Sequence, residues 1–384
     1  MQNESFSSWP PSGGQRVYVV LSFALLLAAF AAIVQKAWTL SFTMDEAFTY
    51  NTWCAGPFSA FFTVSSYNNH PLNTLLCRVS AGVFGGGEFS LRLPSVLSGL
   101  LYLLVVQRIA VLLFGNSLWM LLLVGVNALN PFVLDHFSTA RGYGMGLALW
   151  MLGAYYVARW MRQQDSRKLL LRAGAALGLA SAAYLTEVFA ATALCAVLIL
   201  VYLADRFIEG GWKLAGRFAW STALPFAGVG LAVAALILYA PLRLAKLEGI
   251  DGVPKFKWGP KELFDAVLFY QPEPSALQRL VWNPLHKWPW AILLMLWGAL
   301  LIAAVVVALR MARVRRLQAP SMRDRDVIVF GGALLFTFLL LYVEPRVLHH
   351  AFFTERRLLF TLPVIFLACT ILLRWLSEYG KWGG

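Results

Sequence analysis

Charge is scarce in this chain: Asp, Glu, Lys and Arg make up 13% of its 384 residues, about half the share of an ordinary soluble domain. A soluble fold of this length needs far more polar surface, so that class is excluded. Acids are the scarcer sign, 19 against 32 Lys and Arg. With four cysteines a disulfide scaffold is excluded too. Cys195 and Cys369 fall inside apolar runs and read as packing residues. Cys54 and Cys77 share one loop, and sequence alone neither pairs them nor keeps them apart. Histidine occurs five times, without the His-Glu-x-x-His spacing of a strong metal signature.

What the chain has in quantity is hydrophobic side chains, 59% of the total, with a mean hydropathy of +0.66. Apolar windows of bilayer length recur throughout, which predicts an all-α integral membrane protein. Ten spans are expected, near 17–40, 89–113, 116–134, 142–160, 169–186, 188–205, 217–240, 288–310, 327–344 and 358–376. Trp and Tyr, 15 and 13 in number, gather at span ends, as at Trp38, Trp53 and Trp375. The net charge of +13 sits mainly in short loops and reads as a topology signal and as contacts to anionic lipid, not to nucleic acid. Dense cation over 159–172, 206–217 and 310–325 marks one side as cytoplasmic and puts both termini there. The first apolar run is too long for an ordinary signal core and reads as a retained anchor. A single membrane domain over 1–384 is expected, with no soluble C-terminal domain. Its larger outer loops are 41–88 and 241–287. In the first, Asn69-His70-Pro71 opens a short amphipathic surface helix carrying Leu72, Leu75, Leu76, Val79 and Val83.

On this topology the unusual polar residues collect on the outer face. Asp45 and Glu46 follow the first span directly, and acids at a membrane surface need water, a cation or a substrate to face. The bland reading is a solvated helix cap. Arg141-Gly142-Tyr143 opens the fourth span, where Arg141 can hold a phosphate and Tyr143 add a hydroxyl donor. A snorkelling interfacial pair is the plainer alternative. Glu355-Arg356-Arg357 precedes the last span; two outer arginines oppose the positive-inside trend, and a bound anion accounts for them, as does a salt-bridged hairpin. Asn69, His70, Glu187 and His349 are further candidates for contact with a sugar or acceptor. No cofactor is assigned; a divalent metal is left open, with Asp45 and His70 as the candidate ligands.

The order of these motifs resembles the GT-C glycosyltransferases, specifically the protein O-mannosyltransferase and aminoarabinose-transferase group. The likeness rests on Asp45-Glu46, on Asn69-His70-Pro71-Leu72, on Glu88 with Arg92-Leu93-Pro94, and on Ala140-Arg141-Gly142-Tyr143, and it is concentrated in residues 40–160. Arg357-Leu358 with Leu362-Pro363 extends it before the last span. Glu187 departs from it, standing where many relatives carry Lys. The resemblance implies an inverting transferase that moves a sugar from a polyprenyl-phosphate donor to an acceptor hydroxyl of a glycan, lipid or protein. It also implies a bacterial inner membrane, with undecaprenyl phosphate as carrier. In that scheme Asp45 is the base, Glu46 orients it or the acceptor, and Arg141, Tyr143, Arg356 and Arg357 meet the donor phosphate. Glu88 and Arg92 are structural. The competing classes are a multi-pass lipid or solute transporter, which predicts charge near the midplane of broken helices, and a non-catalytic membrane assembly partner.

Overall fold

The computed structural model describes residues 13–64, 66, 69–163, 166–248, 321–348 and 359–379. All regular structure among the described residues is helical. The chain divides into two compact units, one of Met1–Leu185 with Phe226–Ile250, the other of Thr186–Pro225 with Asp251–Gly384.

The first unit opens with α1 (Gly13–Thr39). A loop region follows, holding α2 (Met44–Thr49), a π-helical turn at Tyr50–Cys54, α3 (Ala60–Thr63) and α4 (Pro71–Phe84). Then come α5 (Glu88–Phe114), α6 (Leu118–Ala128), α7 (Pro131–Asp135), α8 (Gly142–Arg162) and α9 (Arg167–Ala183). As the sequence predicts, α4 starts with Pro71 in its first turn, and His70 is its N-cap. Its Val79 and Val83 remain more than half exposed, on the apolar stripe expected to meet lipid. Apolar exposure is also high on α1, where Val20 is 66% and Leu27 71% exposed. Side chains of this kind on a long apolar helix belong against hydrocarbon. Between helices the unit uses buried polar pairs: Gln107 donates to Ser22 across α5 and α1, and Tyr102 to Asn127 across α5 and α6. In hydrocarbon such groups have only other protein groups to bond.

In the second unit α10 (Glu187–Phe218) carries non-helical backbone at Gly210 and Gly211. Gly211 has φ +65°, a conformation glycine adopts without steric cost. This kinks the helix just beyond the sixth expected span. A π-helical turn at Ala219–Ala223 leads into α11 (Leu224–Glu248), which returns to the first unit. The second unit continues with α12 (Met322–Asp326), a π-helical turn at Val327–Gly331, α13 (Gly332–Leu348) and α14 (Thr361–Tyr379). Arg325 pairs with Asp205 at 3.2 Å and Trp375 donates to Asp324 at 2.9 Å, tying α12 to α10 and α14.

Each expected span outside 288–310 coincides with a described helix or helix pair, and four helical stretches are long and apolar enough to cross a bilayer. The span at 288–310 lies outside the described residues. Two boundaries differ. The third span is two helices rather than one: Pro131 has no N–H to continue α6, and Asn130 caps a new helix by accepting from Val133 at 3.1 Å. α11 runs past Pro241 to Glu248, so the start of the loop expected over 241–287 is helical, and the rest of that loop lies outside the described residues.

Candidate active site

Thr43 begins the local construction. Its hydroxyl accepts from the Glu46 N–H at 3.3 Å, and the Glu46 carboxylate accepts from the Thr43 N–H at 3.0 Å. This reciprocal capping box starts α2 directly after α1 ends. It fixes Asp45 and Glu46 in the first turn, pointing different ways.

Glu46 points inward and is fully buried. Arg92 of α5, also fully buried, grips it with Nε on Oε1 and Nη2 on Oε2, both at 2.9 Å. The remaining Arg92 donors go to the carbonyls of Ala37, Leu40 and Ser41 at the end of α1. Glu46 Oε1 also accepts from the Ala140 N–H at 2.7 Å. One ion pair thereby joins α1, α2, α5 and the segment entering α8. Burial pushes the Glu46 carboxyl up, but the Arg92 hydrogen bonds, the Ala140 and Thr43 amides and the Arg92 charge outweigh it, and the net shift is downward. A carboxylate whose folded-state pKa is lowered stabilises the fold above its unfolded pKa and loses that contribution as pH falls through the folded value. The thermal stability of the protein is therefore expected to hold from neutral pH down to the ordinary glutamate value of 4.5 and to fall below it. The same titration on Glu46→Gln should lack this acid limb.

The sequence gives Glu46 the orienting of Asp45 or of the acceptor. The Glu46 oxygens are committed to Arg92, Thr43 and Ala140, with no exposed surface left. The Glu88 carboxylate accepts from the Phe42 N–H at 3.2 Å.

Asp45 is the partly open member, with 22% of its side chain exposed. Its Oδ2 lies 2.9 Å from Arg141 Nη1. Arg141, the N-cap residue of α8, is buried, and its guanidinium lies over the Tyr143 ring while Nη2 donates to Tyr143 Oη at 3.2 Å. Tyr143 is in turn ringed by aromatic edges: His70 at 4.8 Å, His136 at 5.1 Å and Tyr184 at 4.7 Å between centroids. These contacts bring the ends of α7 and α9 and the start of α4 to Tyr143. Gly142 permits the approach, since a Cβ there would stand 1.9 Å from the Ala183 carbonyl oxygen and 2.7 Å from His70 Cβ. Gly142→Ala is expected to force α8 away from α9 and His70 and to lower thermal stability by about 1–3 kcal/mol; an unchanged melting curve would show that the approach relaxes freely.

Asn69 is half-buried beside His70 and donates its N–H to Ser66 at 3.1 Å. Glu187 begins α10 in the second unit, fully buried, and neither of its carboxylate oxygens has a hydrogen-bond partner among the described residues. His349, Arg356 and Arg357 lie outside the described residues. Among the described residues no three His, Cys, Asp or Glu side chains gather as a metal site requires. Asp45 faces the Arg141 cation, which disfavours a second cation on the same oxygen. Cys54 and Cys77 are separate buried thiols in one small cluster with Leu91 and Ala140. Burial pushes the Cys54 thiol up to about 11 and Cys77 higher still.

Sequence reasoning counted His136 among the outer-face polar residues and possible metal ligands without giving it a role at Tyr143, and it did not single out Tyr184. His136 Nδ1 lies 2.8 Å from the Phe132 carbonyl, which selects the tautomer with the proton on that nitrogen. The polar Asp135-His136 step after Pro131 was the available signal. Tyr184 had none, because its role follows from α9 ending beside α8.

Residues 68–226 match the family described as dolichyl-phosphate-mannose-protein mannosyltransferase. The match takes in Glu88, Arg92, Arg141, Tyr143 and Glu187, and begins after Asp45 and Glu46. The crystal structure of the apo oligosaccharyltransferase of Archaeoglobus fulgidus superposes with a TM-score of 0.50 at 14% identity, over 93% of this chain and 51% of that one. This chain has a GT-C fold. It resembles the protein mannosyltransferase and ArnT group within the GT-C superfamily. ArnT from Cupriavidus metallidurans, solved with undecaprenyl phosphate, superposes at a TM-score of 0.41 with 16% identity, over 93% of this chain and 75% of ArnT. The chain spans about half the length of the oligosaccharyltransferase. No curated protein matches it in a sequence search.

Proposed function

We propose that this chain is an inverting glycosyltransferase that moves a sugar from a polyprenyl-phosphate donor to an acceptor hydroxyl at the outer face of a bacterial inner membrane. The observation that carries the reading is the juxtaposition of a partly exposed carboxylate, Asp45, with a buried guanidinium, Arg141, at 2.9 Å. The reaction needs both: a base for the acceptor proton and a cation for the phosphate leaving group. The mannosyltransferase family likeness over 68–226 supports a lipid-phosphate sugar as donor.

In this reading the acceptor hydroxyl gives its proton to Asp45 as its oxygen attacks the anomeric carbon. The bond from that carbon to the phosphate oxygen breaks in the same displacement, and Arg141 with Tyr143 receives the departing phosphate charge. Glu46 and Arg92 act as positioning residues, holding the segments that carry Asp45 and Arg141 side by side. The sequence further offers Arg356 and Arg357 for the phosphate, and Glu187, Asn69, His70 and His349 for sugar or acceptor. The orientation is supported by the α8–α9 hairpin. Its basic end, with Arg159, Arg162, Arg167 and Lys168, is opposite the end that carries Arg141 and Tyr184. The intervening helix, at about 1.5 Å per residue, is long enough to span the hydrocarbon. The positive-inside trend then puts the candidate site outside.

The test is incubation of the purified chain with a panel of polyprenyl-phosphate sugars and candidate acceptors, with mass detection of transfer. Donor-dependent transfer with release of the polyprenyl phosphate is expected. No transfer and no hydrolysis from any donor would favour the transporter class.

A further inference from the structure

Arg141 is the cation given to the donor phosphate above, yet in this structure it is occupied by Asp45. The two side chains differ in freedom. Arg141 is 5% exposed and held by the Tyr143 ring and hydroxyl, whereas Asp45 is 22% exposed. Their backbones cannot easily part, because the residues next to them, Glu46 and Ala140, are hydrogen-bonded at 2.7 Å. Separation of the pair must therefore come from rotation of the Asp45 side chain. A carboxylate and a phosphate competing for one guanidinium repel each other in a site of low dielectric. Among the described residues, Arg92 is spent on Glu46, and Lys36 pairs with Asp135.

We propose that Arg141 serves two anions in turn: it holds Asp45 in the resting enzyme and passes to the donor phosphate on binding, so that arrival of the donor releases the base. This deepens the transferase reading and rests on its assignment of the phosphate to Arg141 and the proton to Asp45. Without donor, the Asp45 oxygen is engaged by a guanidinium and is not presented to a hydroxyl. With donor, it turns toward the acceptor. The device imposes an order, donor before acceptor activation, without any movement of the helices.

The consequence to be read is that removing Asp45 improves donor-lipid binding while lowering turnover. The probe is undecaprenyl monophosphate, titrated into the detergent-purified full chain. Asp45→Asn and Asp45→Ser are both made, so that misfolding of one leaves the other. Each is expected to bind about tenfold more tightly than wild type, the scale of a lost close-range charge competitor. Arg141→Gln is expected to bind at least tenfold more weakly, and the gain from Asp45→Asn should vanish in the Arg141→Gln background, as coupled sites require. Equal or weaker binding by both Asp45 variants, with Arg141→Gln still weakened, would overturn the exchange and leave the phosphate reading intact. A gain that persists in the Arg141→Gln background would overturn it too, since simple repulsion would then explain the effect. Wild-type affinity in Arg141→Gln would instead remove the phosphate reading itself.

Discussion

Glu46→Gln is expected to destabilise the chain by about 3–5 kcal/mol, the cost of stranding one member of a buried ion pair. The amide keeps the shape of the side chain and one acceptor oxygen, so a modest packing effect would cost far less. The charge of Arg92 is what it fails to balance. Arg92 is fully buried and its donors end on Glu46 and on three carbonyls at the end of α1. Without the carboxylate a guanidinium remains dry and uncompensated. Arg92→Leu should cost a similar amount, because it strands Glu46 and releases those carbonyls. The measurement is thermal unfolding in detergent of Glu46→Gln, Arg92→Leu and the pair together. The double variant is expected to lose clearly less than the sum of the singles, since it leaves no lone charge. Additive losses would show that the two residues stabilise the fold independently.

Asp45→Asn is expected to lower turnover by about 10²–10⁴-fold, the usual contribution of a positioned general base. The fold should survive it. Asp45 lies in the first turn of α2, but the capping box that starts the helix belongs to Thr43 and Glu46. A folded, inactive protein is therefore the expected phenotype, in contrast to the Glu46 and Arg92 variants. Steady-state sugar transfer by folded Asp45→Asn, with donor saturating, checks it. Turnover near wild type would take the base role from Asp45. The comparison separates adjacent residues that share a chemistry: one acid is spent on architecture and the other is left at the surface.

That separation is partly legible in the sequence. Thr43 followed three residues later by Glu46 is a capping-box pattern, and the pattern by itself marks Glu46 as a fold residue. Its partner is not readable: Arg92 stands 46 residues away, and the contact depends on how α5 packs against the end of α1. The spans are legible because hydrocarbon demands long apolar helices, and α4 because Pro71 announces a helix start. The break at Asn130-Pro131 is also written in the chain, as a cap followed by a proline, but continuous hydrophobicity masks it. The pairing of Asp45 with Arg141 is out of reach, since nothing in either motif specifies the other. It arises because the Glu46 carboxylate captures the amide of Ala140, one residue before Arg141. The ring of His70, His136 and Tyr184 around Tyr143 likewise comes from four chain segments meeting.

The most direct measurement is an experimental structure of the full chain with polyprenyl phosphate bound. Phosphate oxygens are expected at hydrogen-bond distance from the Arg141 guanidinium, with Asp45 turned away from it and toward open space. A phosphate bound elsewhere, with the Asp45–Arg141 pair intact beside it, would contradict the assignment of this cluster as the reaction centre.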